Sequence, residues 1–115
     1  LVGSGDGYKR QGQRIMCPVG QYQANRWGLH DMHGNAAEWT RSVYRPYPYR
    51  EDNGRNDAAA AGRRVVRGGS WRDRPHRATA SFRLAYEPWQ AVFNVGFRVL
   101  CEEGPDAKSA LTTKR

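Results

Sequence analysis

Between Asp31 and Glu38 the chain reads Asp-Met-His-Gly-Asn-Ala-Ala-Glu, with a carboxylate at each end. Hard cations such as Ca²⁺ gather about 6–8 oxygens at about 2.3–2.6 Å, mixing carboxylates with backbone carbonyls. The small residues between the two acids let carbonyl oxygens approach an ion. The simpler alternative is a plain Gly34-Asn35 turn, with Glu38 paired to an arginine. His30 and His33 flank Asp31, but Gly34-Asn35 spoils the helix that would aim both rings at one zinc, and no Cys/His cluster has zinc spacing. His76 stands alone in an arginine-rich stretch, without the acid partner that an acid–base role needs. Cys17 and Cys101 lie near opposite ends of the domain. They form either one disulfide or two separate thiols packed as small hydrophobes, so the redox compartment stays open.

Few regular segments are available to hold these groups. Residues 1–16 are rich in Gly, Gln and Arg and read as loop, with Asp6-Gly7-Tyr8 as a turn. Residues 18–25 suit a short strand. Met32, Ala36, Trp39 and Val43 recur at helical spacing, but Gly34 and Asn35 interrupt it, so a tight loop entering a short turn or strand is expected. Residues 44–64 form a polar insertion, expected as an exposed loop with one helical turn. Residues 65–71 read as a strand with Val65, Arg67, Gly69 and Trp71 on one face. Residues 94–101 read as a second strand, with Val95, Phe97, Val99 and Cys101 facing one way. The stretch between them is long, irregular and aromatic-bearing.

The chain has 115 residues, one domain's worth or less, and a formal net charge of +8. Leu, Ile, Val and Phe together number only 17, a level that with high charge reads as disorder. Four Trp, six Tyr and 13 Gly argue instead for an ordered, loop-rich domain with an aromatic core. Trp39, Trp71, Phe82, Trp89 and Phe97 are the expected core rings. Arg83 and Arg98 adjoin them and need carboxylate or carbonyl partners, or a ring face to lie on. Sixteen of the 19 cations are arginine, scattered without a stripe or motif, which argues against nucleic acid as the partner. No apolar run approaches the roughly 18 residues of a membrane span, and no charged-then-apolar leader is visible at residue 1. Localisation is therefore unassigned, with an extracytoplasmic site still open. So little regular structure calls for a staple: a metal, a disulfide or a partner segment.

Three segments in order are more specific: Gly28-Leu29-His30-Asp31-Met32-His33-Gly34-Asn35-Ala36-Ala37-Glu38-Trp39, then Arg67-Gly68-Gly69-Ser70-Trp71, then Asn94-Val95-Gly96-Phe97-Arg98-Val99. Together they resemble the formylglycine-generating (sulfatase-modifying factor) family, whose pattern runs G-L-x-D-M-x-G-N-x-x-E-W, R-G-G-S-W/Y and G-F-R. Cys17-Pro18-Val19-Gly20 and Asp6-Gly7-Tyr8 resemble its upstream elements. The resemblance covers about residues 6–101. It implies an α+β, loop-dominated fold related to C-type lectins, here the C-terminal portion of a longer domain over residues 1–103, with residues 104–115 as a flexible tail. An N-terminal segment or a second chain would then complete the fold. The family's calcium loop falls on Asp31, Gly34, Ala36 and Glu38. Glu38 would ligate by its carboxylate, Gly34 and Ala36 by carbonyls, and Asp31 by either. A second, weaker calcium site would use Asp6 and Tyr8, with its other ligands upstream of residue 1.

The family's oxidase places two cysteines shortly after G-G-S-W/Y, where thiolates bind copper and activate oxygen to turn a substrate cysteine into formylglycine. Thiolates suit soft Cu(I) and are strong nucleophiles. Residues 71–83 contain no cysteine, and Asp73 and Ala78 stand where the pair would be. Neither side chain can replace a Cu(I) thiolate. The resemblance therefore leans away from an enzyme and towards a non-catalytic, calcium-stabilised binding or scaffold module. Its binding face would be Arg72, Asp73, Arg74, His76, Tyr86 and Trp89, offered to a protein, peptide or anionic partner, since planar cations and amphipathic rings favour interfaces. These positions are otherwise ordinary loop filling. The alternative is a component of an oxidoreductase, formylglycine-generating or sulfoxide-synthase-like, whose metal ligands come from another segment or chain.

Overall fold

A computed structural model describes residues 16–101. Four short strands form one sheet. Strand β1 is Ala37–Val43, β2 is Arg64–Arg67, β3 is Leu84–Tyr86 and β4 is Val95–Gly96. Their order across the sheet is β3-β2-β1-β4. β1 pairs antiparallel with β2 through Glu38↔Arg67, Trp39↔Val66 and Val43↔Arg64, with an irregular register between Trp39 and Val43. β2 pairs antiparallel with β3, and β1 pairs parallel with β4 through Ala37↔Val95 and Glu38↔Gly96.

Helical spacing at Met32, Ala36, Trp39 and Val43 does not produce a helix. Asp31 (φ 56°), Gly34 (φ 91°) and Asn35 (φ 58°) all take left-handed backbone, which a right-handed helix cannot contain. The chain leaves that turn straight into β1. Among the described residues there is no α-helix, only the 3-10 turns Glu51–Asn53 and Pro75–Ala78. The α part of the expected α+β class is corrected accordingly: the domain is a small curled sheet dressed with loops. Residues 18–25 form turns rather than a strand. The strand expected over 65–71 stops at Arg67, because Gly68 (φ 87°) and Gly69 (φ 65°) turn left-handed. A Cβ on Gly69 would sit 3.1 Å from the backbone of Arg77 and Ala78, so this glycine lets the next loop fold tightly back. Of residues 94–101, only Val95–Gly96 enters the sheet.

The aromatic core is also corrected. The fully enclosed apolar residues are Ala37, Val43, Val65 and Val66. Strands this short leave little space between sheet and loops, and small aliphatic side chains fill it. Larger rings pack at the rim: Trp39 meets Tyr86 edge-on at 6.1 Å, and Trp71 meets Phe93 at 6.4 Å. Trp89 and Phe97 face solvent, 80% and 77% exposed.

Arginines do much of what regular structure does elsewhere. Backbone carbonyls withdrawn from water need donors, and a guanidinium supplies five in a rigid fork. Arg64 donates to the carbonyls of Arg41, Asp57, Ala58 and Ala60, pinning the insertion over 44–64 to the sheet. Buried Arg55 donates to Asn53 Oδ1 and the Pro46 carbonyl and lies 4.4 Å from the Tyr49 ring. Arg83 meets its expected carbonyl partner on Arg45 and lies 3.8 Å from the Tyr47 ring. No helix among the described residues is long and apolar enough to cross a membrane.

Candidate functional site

Two regions flank the Gly68-Gly69 turn. The first is the loop over 31–38. Buried Asn35 is its keystone: its Oδ1 accepts the Cys17 N–H at 2.9 Å, its Nδ2 donates to the Cys17 carbonyl at 3.0 Å, and its own carbonyl accepts the Trp71 N–H at 2.9 Å. The Gly34 N–H donates to the Gly68 carbonyl at 2.9 Å. Asp31 Oδ2 accepts the Gly20 N–H at 2.7 Å, whereas Asp31 Oδ1 is buried and has no hydrogen-bond partner. Glu38 is gripped at both oxygens by Arg98, which also donates to the His30 carbonyl. The Glu38 hydrogen bonds, with a smaller contribution from the Asp31 charge, raise the Arg98 pKa above the usual arginine range. Asp31, Asn35, Ala36, Glu38 and Arg98 share a cleft of about 560 Å³ with Met16, Cys17, Val19, Leu29 and Phe97.

These residues match a hard cation in donor type. The buried Asp31 Oδ1 is an oxygen with no hydrogen-bond partner, although Asp31 shares the field of Arg98. Against this, both Glu38 oxygens are already on Arg98, as in the simpler sequence alternative, so an ion here has to compete with that guanidinium. Among the described residues no three His, Cys, Asp or Glu side chains gather as a metal site. A calcium site would therefore lean on carbonyls. His30 Nδ1 bonds the Tyr22 carbonyl at 2.7 Å and His33 Nδ1 the Ala78 carbonyl at 2.6 Å, so the two rings serve separate loops. Asp6 and Tyr8 lie outside the described residues.

The second region is an open pocket of about 630 Å³ beyond Ser70. Its base is a closed polar network. Asp73 Oδ2 accepts from the Ser70 N–H at 2.9 Å and the Ser70 Oγ at 2.6 Å, and Asp73 Oδ1 accepts from Arg77 at 3.0 Å. Asn94 Nδ2 donates to Ser70 Oγ at 2.7 Å. The Ser70 hydroxyl hydrogen is thus committed to the Asp73 carboxylate rather than to a general base that would activate the oxygen. Arg72, Arg74 and His76 form the remaining wall with Phe93, whose ring centre is 5.3 Å from the Arg72 guanidinium carbon.

Of the six expected binding residues, Arg72, Asp73, Arg74 and His76 line this pocket. Tyr86 lies on β3 against Trp39, and Trp89 projects from a turn closed by the Glu87–Gln90 hydrogen bonds. Arg77 and Phe93 are not among the expected site residues, and Ser70 and Asn94 enter the sequence reading only as parts of the family motifs. Only the four-residue spacing of Asp73 and Arg77 hinted at one of them. Cys17 and Cys101 are not joined by a disulfide, and neither lines this pocket.

The chain thus combines a four-stranded sheet of short strands with a left-handed Gly34-Asn35 turn and a Gly68-Gly69-Ser70 corner. Residues 3–103 match the Sulfatase-modifying factor enzyme 1-like domain, and the chain belongs to that family. It is 36% identical over 95 residues to the mouse (Mus musculus) protein named inactive C-alpha-formylglycine-generating enzyme 2, covering 77% of this chain and 27% of that protein. The cattle (Bos taurus) protein of the same name is 38% identical over 85 residues, covering 70% and 24%. A serine/threonine-protein kinase, pkn1 of Chlamydia caviae, is 34% identical over 92 residues, covering 76% of this chain and 14% of the kinase. Among solved structures, Treponema denticola variable protein 1 superposes with a TM-score of 0.60 at 28% identity, over 72% of this chain and 31% of that one. The chain thus spans about a quarter of the length of the mammalian relatives.

Proposed function

We propose that this chain is a non-catalytic binding or scaffold module of its family, with calcium held at the loop over 31–38 and a partner protein or peptide held on the face over 72–94. One observation carries the reading: the pocket beyond Ser70 contains Asp73, locked to Ser70 and Arg77, and no thiol. A carboxylate tied down by hydrogen bonds is neither a Cu(I) ligand set nor a nucleophile. The similarity to two mammalian proteins named as inactive points the same way. Calcium is supported by the orphaned, buried Asp31 Oδ1, which shares its cleft with the Glu38 carboxylate. The carbonyls of Gly34 and Ala36 and the Glu38 carboxylate would complete its shell.

The exposed Met16, Val19, Leu29 and Phe97 around the neighbouring cleft support completion of the domain by a further segment or a second chain. Burying such side chains is worth about 1.5–3 kcal/mol each, which favours a cover.

Partner capture by the wild type and by an Arg74→Ala/Trp89→Ala variant tests the binding face. Both side chains are exposed, so the variant should keep its melting temperature and lose capture. Equal capture at equal stability would remove this face from the account.

A further inference from the structure

Building on the reading of residues 72–94 as the binding face, we propose that the pocket beyond Ser70 recognises an oxyanion, a carboxylate or phosphate carried on a side chain of the bound peptide. Charge is the first reason. Three guanidiniums, Arg72, Arg74 and Arg77, meet a single carboxylate, Asp73. Asp73 is only 8% exposed and spends one oxygen on Arg77 and the other on Ser70, so it offers nothing to the remaining cations. Arg72 and Arg74 have no ion-pair partner among the described residues.

Preorganisation is the second reason. Gly69 packs against Arg77 and Ala78, and the Asp73–Ser70–Asn94 network fixes the floor on which the arginines stand. Arg77 is tied at its tip, and Arg72 rests at the Phe93 ring. Arginines already held in place lose less freedom when an anion arrives, and planar guanidiniums pair two-pronged with carboxylate and phosphate. The third reason is what surrounds the cations. Phe93 offers an apolar wall, and the Asn94 side chain, with one amide hydrogen on Ser70, has a second amide hydrogen and its Oδ1 to offer a peptide backbone. A bare ion uses neither feature, whereas an acidic peptide uses both.

The test is fluorescence anisotropy with the full chain and four labelled peptides of one Gly/Ser frame, carrying a central phosphoserine, glutamate, serine or lysine. The phosphoserine or glutamate peptide should bind, and the lysine peptide should not. The tighter of the first two assigns the oxyanion as phosphate or carboxylate. Arg72→Gln/Arg74→Gln should weaken binding by about tenfold or more. The charge-matched control Arg26→Gln/Arg41→Gln should change it by less than about twofold. Inorganic phosphate should displace the bound peptide from the wild type, a readout independent of any variant's folding. Equal weakening in the control, or tighter binding of an oligothymidylate than of either acidic peptide, would overturn the proposal in favour of diffuse charge. Absence of oxyanion binding, with partner capture still lost in Arg74→Ala/Trp89→Ala, would remove this inference and leave the binding face standing.

Discussion

Glu38 and Arg98, sixty positions apart, meet in a two-pronged ion pair: Nε on Oε2 and Nη2 on Oε1, both at 2.6 Å. Arg98 also holds the His30 carbonyl, so one guanidinium ties β1, the start of the 31–38 loop and the exit of β4 together. The Arg98 side chain is 39% exposed and that of Glu38 25%, so water screens part of the attraction. Arg98→Ala should cost about 1–2 kcal/mol, measured by urea unfolding. A cation whose folded pKa is raised contributes stability that is complete below the ordinary arginine range and is lost only as pH rises through the raised value. The stability gap between wild type and Arg98→Ala should therefore stay flat from about pH 7 to about pH 10. A gap that closes over that range would show that Arg98 acts otherwise.

Calcium should raise the melting temperature, with reversal by a chelator. Binding at about 100 times Kd adds about 2.7 kcal/mol. Asp31→Asn and Glu38→Gln should each weaken the response, since each removes a carboxylate charge from the loop. Arg98→Ala should strengthen it by freeing Glu38. No thermal response at millimolar calcium would leave the Arg98 pair as the whole story of this loop.

Gly69→Ala and Gly28→Ala both place a side chain at positive φ, near 65° and 75°. Only at Gly69 does the new Cβ meet backbone, at 3.1 Å, while at Gly28 it meets nothing within 4 Å. Gly28→Ala should cost about 1–2 kcal/mol from backbone strain alone. Gly69→Ala should cost clearly more and distort the pocket that its neighbours Arg77 and Ala78 support. Equal unfolding midpoints would deny the close approach.

Asn35→Ala removes both hydrogen bonds to the Cys17 backbone and puts alanine at φ 58°. A loss of about 2–4 kcal/mol is expected. Asn35→Gly, which tolerates that backbone, should recover the conformational share but not the hydrogen bonds. Full recovery by glycine would reduce Asn35 to a turn former.

Motif order was enough to recognise the family, and the Gly34-Asn35 break was enough to stop a helix at β1. The need of Arg98 for a partner was also legible, because a guanidinium beside apolar residues must be paired. The sequence allowed Arg98 a carboxylate, a carbonyl or a ring face and paired Glu38 with no particular arginine; the parallel β1–β4 register, with Glu38 opposite Gly96, brings the two together. The aromatic core misled because counting rings says nothing of the space that strands of two to seven residues enclose. Gly68 and Gly69 looked like strand interior, since alternation at Val65 and Arg67 continues through them. Arg77, Phe93 and Asn94 join the pocket through the fold-back permitted at Gly69, a three-dimensional contact with no sequence period.

The most direct test offers a cysteine-containing peptide to the full chain with Cu(I) and oxygen, then probes for aldehyde by mass spectrometry and a carbonyl-reactive label. No formylglycine should form above the protein-free control, in which copper and oxygen carry the thiol only to disulfide, because the loop beyond Ser70 carries Asp73 and Ala78 and no sulfur. Formylglycine appearing on that peptide at a rate above the protein-free control would contradict the non-catalytic reading outright.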